Sequence, residues 1–311
     1  MNWKIKWAVQ RACAMVPVGK QALYRQIQCR CGQLEHGYDY SFLLSEAARM
    51  TRLLASKGFT MEGASVMEVG TGWRVDIPIG FFLCGARRIV TCDQSHYLIK
   101  SLALKTVQFI LDNPGEIRSI FSSVHPKLLE DRLDALKEVS TIEDLFAIAG
   151  IEYCAPCDCA HTKFAPQSFD IHFSYTVLEH IPGPTLEAIL LEANRLLKPG
   201  GVVLHHIDLS DHFEQVDRSI TKVNFLRFTE ADWSRYAGTP WSYHNRLRRD
   251  EYREIFEKSA QNIVYWNDIV DQRSLECLRN GFPLAAQYRG LPPEALSTVI
   301  VDVMSRPQVT H

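Results

Sequence analysis

The stretch that most constrains this chain is an apolar run, Ala64-Ser65-Val66-Met67, that empties into Glu68-Val69-Gly70-Thr71-Gly72. The run reads as a short buried strand. A strand feeding a Gly-x-Gly turn brings bare backbone close to a ligand, because glycine has no Cβ and accepts unusual dihedrals. The turn opens a helix whose free N–H groups attract anionic or polar ligand atoms. A second apolar strand, Arg88-Ile89-Val90-Thr91-Cys92, ends at Asp93, where an acid is placed to accept hydrogen bonds from ribose hydroxyls. The first half of the chain therefore looks built to hold an adenosine-type cofactor.

What is missing narrows the cofactor. Dinucleotide sites use a third glycine, G-x-G-x-x-G, for close helix–strand packing around a pyrophosphate. Here that position is Val75, after Trp73 and Arg74. A nicotinamide dehydrogenase would need a pyrophosphate loop that this sequence lacks.

Later segments fall into order behind these two. Phe169-Asp170-Ile171-His172-Phe173-Ser174 reads as a fourth strand and runs into Tyr175-Thr176-Val177-Leu178-Glu179-His180-Ile181. An amphipathic helix follows, with Leu186, Ile189, Leu190, Ala193, Leu196 and Leu197 at helical spacing. It stops at Lys198-Pro199-Gly200-Gly201, and Gly201 to Ile207 is a fifth strand. F-D-x-x-x-S-x-x-V-L-E-H-I, a helix, L-K-P-G-G and a strand, with E-V-G-T-G and Asp93 before them, resemble a class I S-adenosylmethionine-dependent methyltransferase over roughly residues 60–210.

The resemblance implies an α/β fold: a doubly wound, Rossmann-like, seven-stranded, mostly parallel sheet, here with a helical N-terminal extension (1–60) ahead of the methyltransferase domain (61–311). Strands are expected at 65–69, 88–92, 151–154, 169–174 and 201–207, then at 262–266 and 298–303, the last antiparallel. Insertions at about 97–150 and 211–256 would form a cap. S-adenosyl-L-methionine is the implied cofactor. Glu68, Gly70, Thr71 and Gly72 would line its methionine half, Asp93 the ribose with Gln94 beside it, Asp158 and Cys159 the adenine, and Ser174 and Tyr175 the sulfonium.

Methyl transfer to oxygen needs close approach and often a base. His180 ends the Leu-Glu-His run, and His205, His206, Asp208, Asp211 and His212 crowd the end of strand five. Strand alternation puts His206 and Asp208 on one side, so His206, Asp208 and His180 are the expected catalytic groups; the alternatives are that Asp208 and Asp211 cap turns and a helix start, or that the five groups bind a divalent metal. The segment 211–256 combines aromatics (Phe225, Phe228, Trp233, Tyr236, Trp241, Tyr243) with Arg227, Arg246, Arg248 and Arg249, which suits an acceptor lid with Arg246, Tyr243 and Trp241 as its contacts. Together with a loose likeness of this segment to uncharacterised bacterial methyltransferases of glycan or lipid-linked assembly, this points to O-methylation of a small-molecule, sugar or lipid-linked acceptor. N- or C-methylation and a non-catalytic cofactor-binding role share the same cofactor features.

Composition sets outer bounds. The 311 residues bury a full core, and a formal charge of −2 gives no reason to expect a nucleic-acid partner. Nothing in the sequence specifies an oligomeric state. The basic, amphipathic start, Met1 to Arg11, lacks a secretory signal's apolar core; it is expected to pack on the domain or to touch a membrane surface peripherally. Neither Cys29-x-Cys31 nor Cys154-x-x-Cys157-x-Cys159 completes a four-ligand zinc pattern, so no metal and reduced cytoplasmic thiols are expected.

Overall fold

The computed structural model describes residues 2–16, 23–24, 26–27, 34, 37–239 and 242–308. Cys29, Cys31 and Trp241, singled out above, lie outside the described residues. Seven strands are hydrogen-bonded in the order β3-β2-β1-β4-β5-β7-β6: β1 Ser65–Val69, β2 Arg88–Cys92, β3 Ile151–Cys154, β4 Phe169–Tyr175, β5 Leu197–Asp208, β6 Gln261–Val270 and β7 Thr298–Pro307. β1 pairs in parallel with β2 and β4, β2 with β3, and β6 pairs antiparallel with β7. The expected Rossmann-like α/β sheet is therefore present, with its antiparallel pair at the β6 end.

The chain groups into two compact units. The first holds Met1–His36, Ser174–Leu191 and Leu204–His311; the second holds Gly37–Phe173 and Glu192–Val203. The helix Tyr40–Ser56, expected to belong to an extension, is thus part of the unit that carries the glycine loop. Its apolar stripe, Leu44, Ala47, Met50 and Leu54, is almost wholly buried. Against it packs the helix Asp76–Leu83, which follows the glycine loop and is buried all round. Gly80 permits this, since a Cβ there would sit 2.4 Å from the Ala47 Cβ. Helices Lys100–Asp112, Pro114–Ile120 and Pro126–Leu136 fill the first insertion as expected. A fourth, Ile142–Ala149, was not legible as a separate element, although Thr141 and Asp144 close a capping box at its start.

A buried polar network ties the glycine loop to these helices. Arg74 Nε donates to Asp76 Oδ2 at 2.7 Å, and Tyr38 and Thr106 hydroxyls donate to the same carboxylate at 2.5 and 2.6 Å. Arg74 Nη2 also donates to Thr106 Oγ1 at 2.8 Å, and its guanidinium lies 3.8 Å from the centre of the Tyr38 ring. Both charges are out of water, so each depends on the other.

In the first unit, the helix Trp3–Ala14 packs on the segment after β5. Trp3 lies in one apolar cluster with Phe213, Phe225, Trp233 and Leu296, and its N–H donates to Asp217 at 3.0 Å. Ile5, Val9 and Met15 on this helix and its end stay exposed. Among the described residues no helix is long and apolar enough to cross a membrane.

Removing one partner of the buried pair leaves an uncompensated charge, so Arg74→Ala is expected to lower unfolding free energy by about 3–5 kcal/mol in urea titrations. Adding Asp76→Asn to that variant should recover part of the loss, because the remaining group is then neutral.

Candidate active site

The loop after β1 is fastened to the end of β2. Gly70 and Thr71 N–H groups donate to the Cys92 carbonyl at 2.8 and 3.2 Å, and Gly72 N–H donates to Asp93 Oδ2 at 2.9 Å. Gly70 and Gly72 take φ of 85° and 63°, the left-handed region where a side chain is strained. An added Cβ at Gly72 would meet nothing within 4 Å, so the backbone there faces open space. Asp93 Oδ1 accepts from Ser95 N–H at 3.2 Å, the Gln94 N–H is a third backbone donor, and a carboxylate's remaining acceptor capacity is left for a ligand. Burial pushes its carboxyl above the ordinary range.

Beneath the loop lies a short chain of hydroxyls. Thr91 Oγ1 donates to Glu68 Oε2 at 2.5 Å and sits 2.6 Å from Thr71 Oγ1. Glu68 is 5 % exposed, and burial pushes its carboxyl up to about 8. Gln94 is exposed beside Asp93. Asp158 stands in the loop after β3, largely exposed, accepting from Ala160 N–H at 2.9 Å, while Cys159 is buried.

In the first unit the expected His206–Asp208 pair is not made. His206 Nδ1 lies 2.6 Å from Asp302 Oδ1 of β7, and its ring stacks on Tyr175 with centroids 4.4 Å apart. Asp208 instead faces His212, Nε2 to Oδ2 at 3.4 Å, because the chain turns back after β5 and brings residue 212 over residue 208. Though burial opposes ionisation, His212 and Ser210 hold the Asp208 carboxyl well below its usual range. Ser174, expected at the cofactor, is fully buried and shares a 2.7 Å hydrogen bond with His205 Nδ1. Strand alternation accounts for this: Ser174 and His205 point to one face, Tyr175 and His206 to the other.

Three imidazoles converge beside Asp208. The ring centroids of His180, His212 and His244 are 5.0, 4.9 and 5.8 Å apart. His180 Nδ1 donates to the Tyr243 carbonyl at 2.8 Å, which leaves its lone pair on Nε2. Burial brings His180 down to about 4 and lowers His244 well below the ordinary histidine value, so both rings are neutral near pH 7. Glu179 is wholly buried and receives no hydrogen bond from a side chain among the described residues. Burial, then the Asp208 charge, raises its carboxyl far above normal. Ligand atoms of Glu179, His180 and His212 all lie within 4.8 Å of one another, the spacing of a possible metal set. His212 was noticed in the sequence as part of a crowd, whereas Glu179 and His244 were missed. Their only signal was the acid in Leu-Glu-His and a lone histidine in a polar turn.

The lid reading of 211–256 is corrected in part. Phe225 and Trp233 belong to the apolar core. Arg246 is 2 % exposed at φ 57°, held by Phe225 and Phe228 carbonyls at 3.0 and 2.8 Å and by an ion pair with Glu230. Arg248 is likewise buried on the Leu209, Leu296 and Thr298 carbonyls. Neither guanidinium is available to an acceptor: Arg246 satisfies carbonyls of the turn-rich segment itself, and Arg248 satisfies carbonyls beside β5 and at the start of β7. Tyr243 is half-buried, its carbonyl holding His180.

A sequence-family profile described as "methyltransferase domain" matches residues 124–205. No curated protein matches the sequence at a significant level. Among solved structures, an S-adenosylmethionine-dependent methyltransferase from Methanosarcina mazei is 11 % identical, covering 83 % of this chain and 98 % of its own, with a TM-score of 0.44. One from Mesorhizobium loti is 15 % identical, covering 85 % and 99 %, at 0.40. The [4+2]-cyclase SpnF is 14 % identical, covering 85 % and 81 %, at 0.43.

Two outcomes are expected. Glu68 ionises near 4.5 when unfolded but near 8 when folded, so its contribution to stability is full below pH 4.5 and is lost as pH rises through 8. Glu68→Gln should flatten that decline, by up to about 1.4 kcal/mol per pH unit, in urea unfolding at pH 5 and pH 8. Arg246→Ala should lower stability by roughly 2–4 kcal/mol by stranding two carbonyls, and should leave the KM of any acceptor unchanged.

Proposed function

We propose that this chain is a class I S-adenosylmethionine-dependent methyltransferase and that it methylates an oxygen of a small-molecule, sugar or lipid-linked acceptor. S-adenosyl-L-methionine is the cofactor; when bound, it supplies a methyl group whose bond to sulfur breaks as the bond to the acceptor forms. The second unit fits it. Gly72 presents backbone to open space, Asp93 keeps lone pairs for ribose hydroxyls, Glu68 lies beneath the loop, and Asp158 is exposed after β3.

The observation that supports oxygen as the acceptor is the set of imidazoles gathered beside the ionised Asp208. A hydroxyl must shed its proton as it is methylated, whereas a neutral amine attacks with a lone pair it already has. His212 is the base in this reading: its ring takes the hydroxyl proton, and Asp208 orients the ring and stabilises the imidazolium. His180, whose Nδ1 is tied to the Tyr243 carbonyl, serves to position. His206, fixed on Asp302, orients rather than accepts. The exposed Ile5, Val9 and Met15 are compatible with a lipid-linked acceptor.

A second reading has one observation in its favour, the 4.8 Å grouping of Glu179, His180 and His212. There a divalent ion would hold the acceptor oxygen in place of a base.

Turnover of S-adenosylmethionine with panels of hydroxyl and amine acceptors tests the proposal. His212→Ala should lower kcat/KM by about 100-fold or more while the affinity for S-adenosylhomocysteine is retained. A larger loss in His206→Ala than in His212→Ala would return the base to the Asp302 pair. Turnover confined to amines would sink the oxygen assignment. Activity lost to a chelator and restored by Mg²⁺ or Mn²⁺, hard ions that thiolates bind poorly, would favour the second reading.

A further inference from the structure

Three thiols converge in the second unit. Cys92 ends β2, and Cys157 and Cys159 lie in the loop after β3; their Sγ atoms are all within 4.8 Å of one another. Cys92 and Cys159 are buried and Cys157 is half-buried. Cys154 pairs in register with Cys92 across β3 and β2, and its thiol is hydrogen-bonded to that of Cys92. All four are free of disulfides. Backbone bonds build the arrangement: Asp93 N–H donates to the Cys154 carbonyl at 3.0 Å, and Cys157 N–H donates to the Asp93 carbonyl at 2.8 Å. The loop is thus folded back onto the end of β2, which no spacing within residues 154–159 reveals.

A bound cation would deprotonate the coordinated thiols outright. The converging donors are all sulfur, the set that selects zinc and other soft ions over magnesium or calcium. In a tetrahedral zinc site with bonds of about 2.3 Å, neighbouring sulfurs sit about 3.8 Å apart. The three sulfurs, none more than 4.8 Å from another, therefore need to close by about 1 Å at most.

We propose that Cys92, Cys157 and Cys159, with Cys154 as the adjacent fourth thiol, bind one zinc-like soft divalent cation. Each ligating thiol gives its proton to solvent as its sulfur–metal bond forms. The ion fastens the loop that carries Asp158 to the strand end that carries Asp93. Its effect on cofactor affinity rests on the methyltransferase reading; metal uptake itself does not.

The test uses the full chain, reduced and stripped of metal, titrated with Co²⁺ as a spectroscopic probe and then with Zn²⁺. Expected are a thiolate-to-cobalt charge-transfer band that saturates at one ion per chain, its loss on adding Zn²⁺, and proton release in weak buffer. Zn²⁺ should also raise the melting temperature. Cys92→Ser and Cys157→Ser should each weaken uptake by roughly tenfold or more, since even indirect ligand partners carry that much. Cys277→Ser, outside the cluster, should leave uptake unchanged. Half-buried Cys157 is the safer variant for folding, and its urea unfolding midpoint, compared with that of the metal-free parent, serves as the fold check. Reduced protein that shows no charge-transfer band and retains no zinc after gel filtration overturns the proposal. So does uptake that survives both serine variants.

Discussion

Everything built around the glycine loop depends on three backbone amides and the end of one strand. Gly70, Thr71 and Gly72 give their N–H groups to the Cys92 carbonyl and the Asp93 carboxylate, and only residues tolerant of positive φ can turn the chain this way. That single attachment does three things. It bares the backbone over open space, it fixes the Asp93 carboxylate in place, and it presses Glu68 and Thr91 together beneath the loop. The last has an electrostatic consequence: a carboxyl sealed from water keeps its proton to about pH 8. A cationic ligand end arriving nearby would favour the ionised form, so cofactor binding and the charge on Glu68 are linked.

The loop is held from the other side by ions where hydrophobic packing would have sufficed for stability alone. Replacing a buried ion pair by well-packed apolar groups is often neutral or stabilising. Arg74 and Asp76 nevertheless sit buried, bracketed by Tyr38 and Thr106. Directional bonds fix a register that apolar contacts leave soft, and here the register fixed is that of the first turn of the helix after the glycines. The same device recurs in the first unit, where Arg246 satisfies carbonyls of a segment poor in regular structure and Arg248 satisfies carbonyls beside β5 and β7.

What the sequence made legible follows from the range of the interactions. β1, β2, β3 and the glycine turn were readable because apolar runs, breakers and the residues beside them are local signals. The start of β5 was less so: Lys198-Pro199-Gly200-Gly201 reads as a helix stop, yet the strand already begins at Leu197, with Gly200 at φ 84°. Partnerships across the fold were not readable. His206 and Asp208 are two apart and look like a pair, but β7 supplies Asp302 to one and a turn supplies His212 to the other. Ser174 turns inward for a plainer reason: neighbouring positions in a strand face opposite sides, so it meets His205 while Tyr175 stacks on His206. Arg246 looked like a contact because arginine forks recognise ligands, and the count of unsatisfied carbonyls around it is not written in its neighbourhood.

The thiols show the same principle from the opposite direction. Cys92 is adjacent to Asp93, and Cys157 and Cys159 flank Asp158, so in both segments a carboxylate alternates with sulfur. In the structure the sulfurs turn toward one another while Asp158 stays largely exposed. Pairing of β2 with β3 brings Cys92 opposite Cys154, and the backbone bonds through Asp93 then carry the loop over. Two segments far apart in sequence are thus joined by sulfur on one side and offer acids on the other. Any change that spreads the thiols must act on the spacing of Asp93 and Asp158, because the same few peptide units carry both.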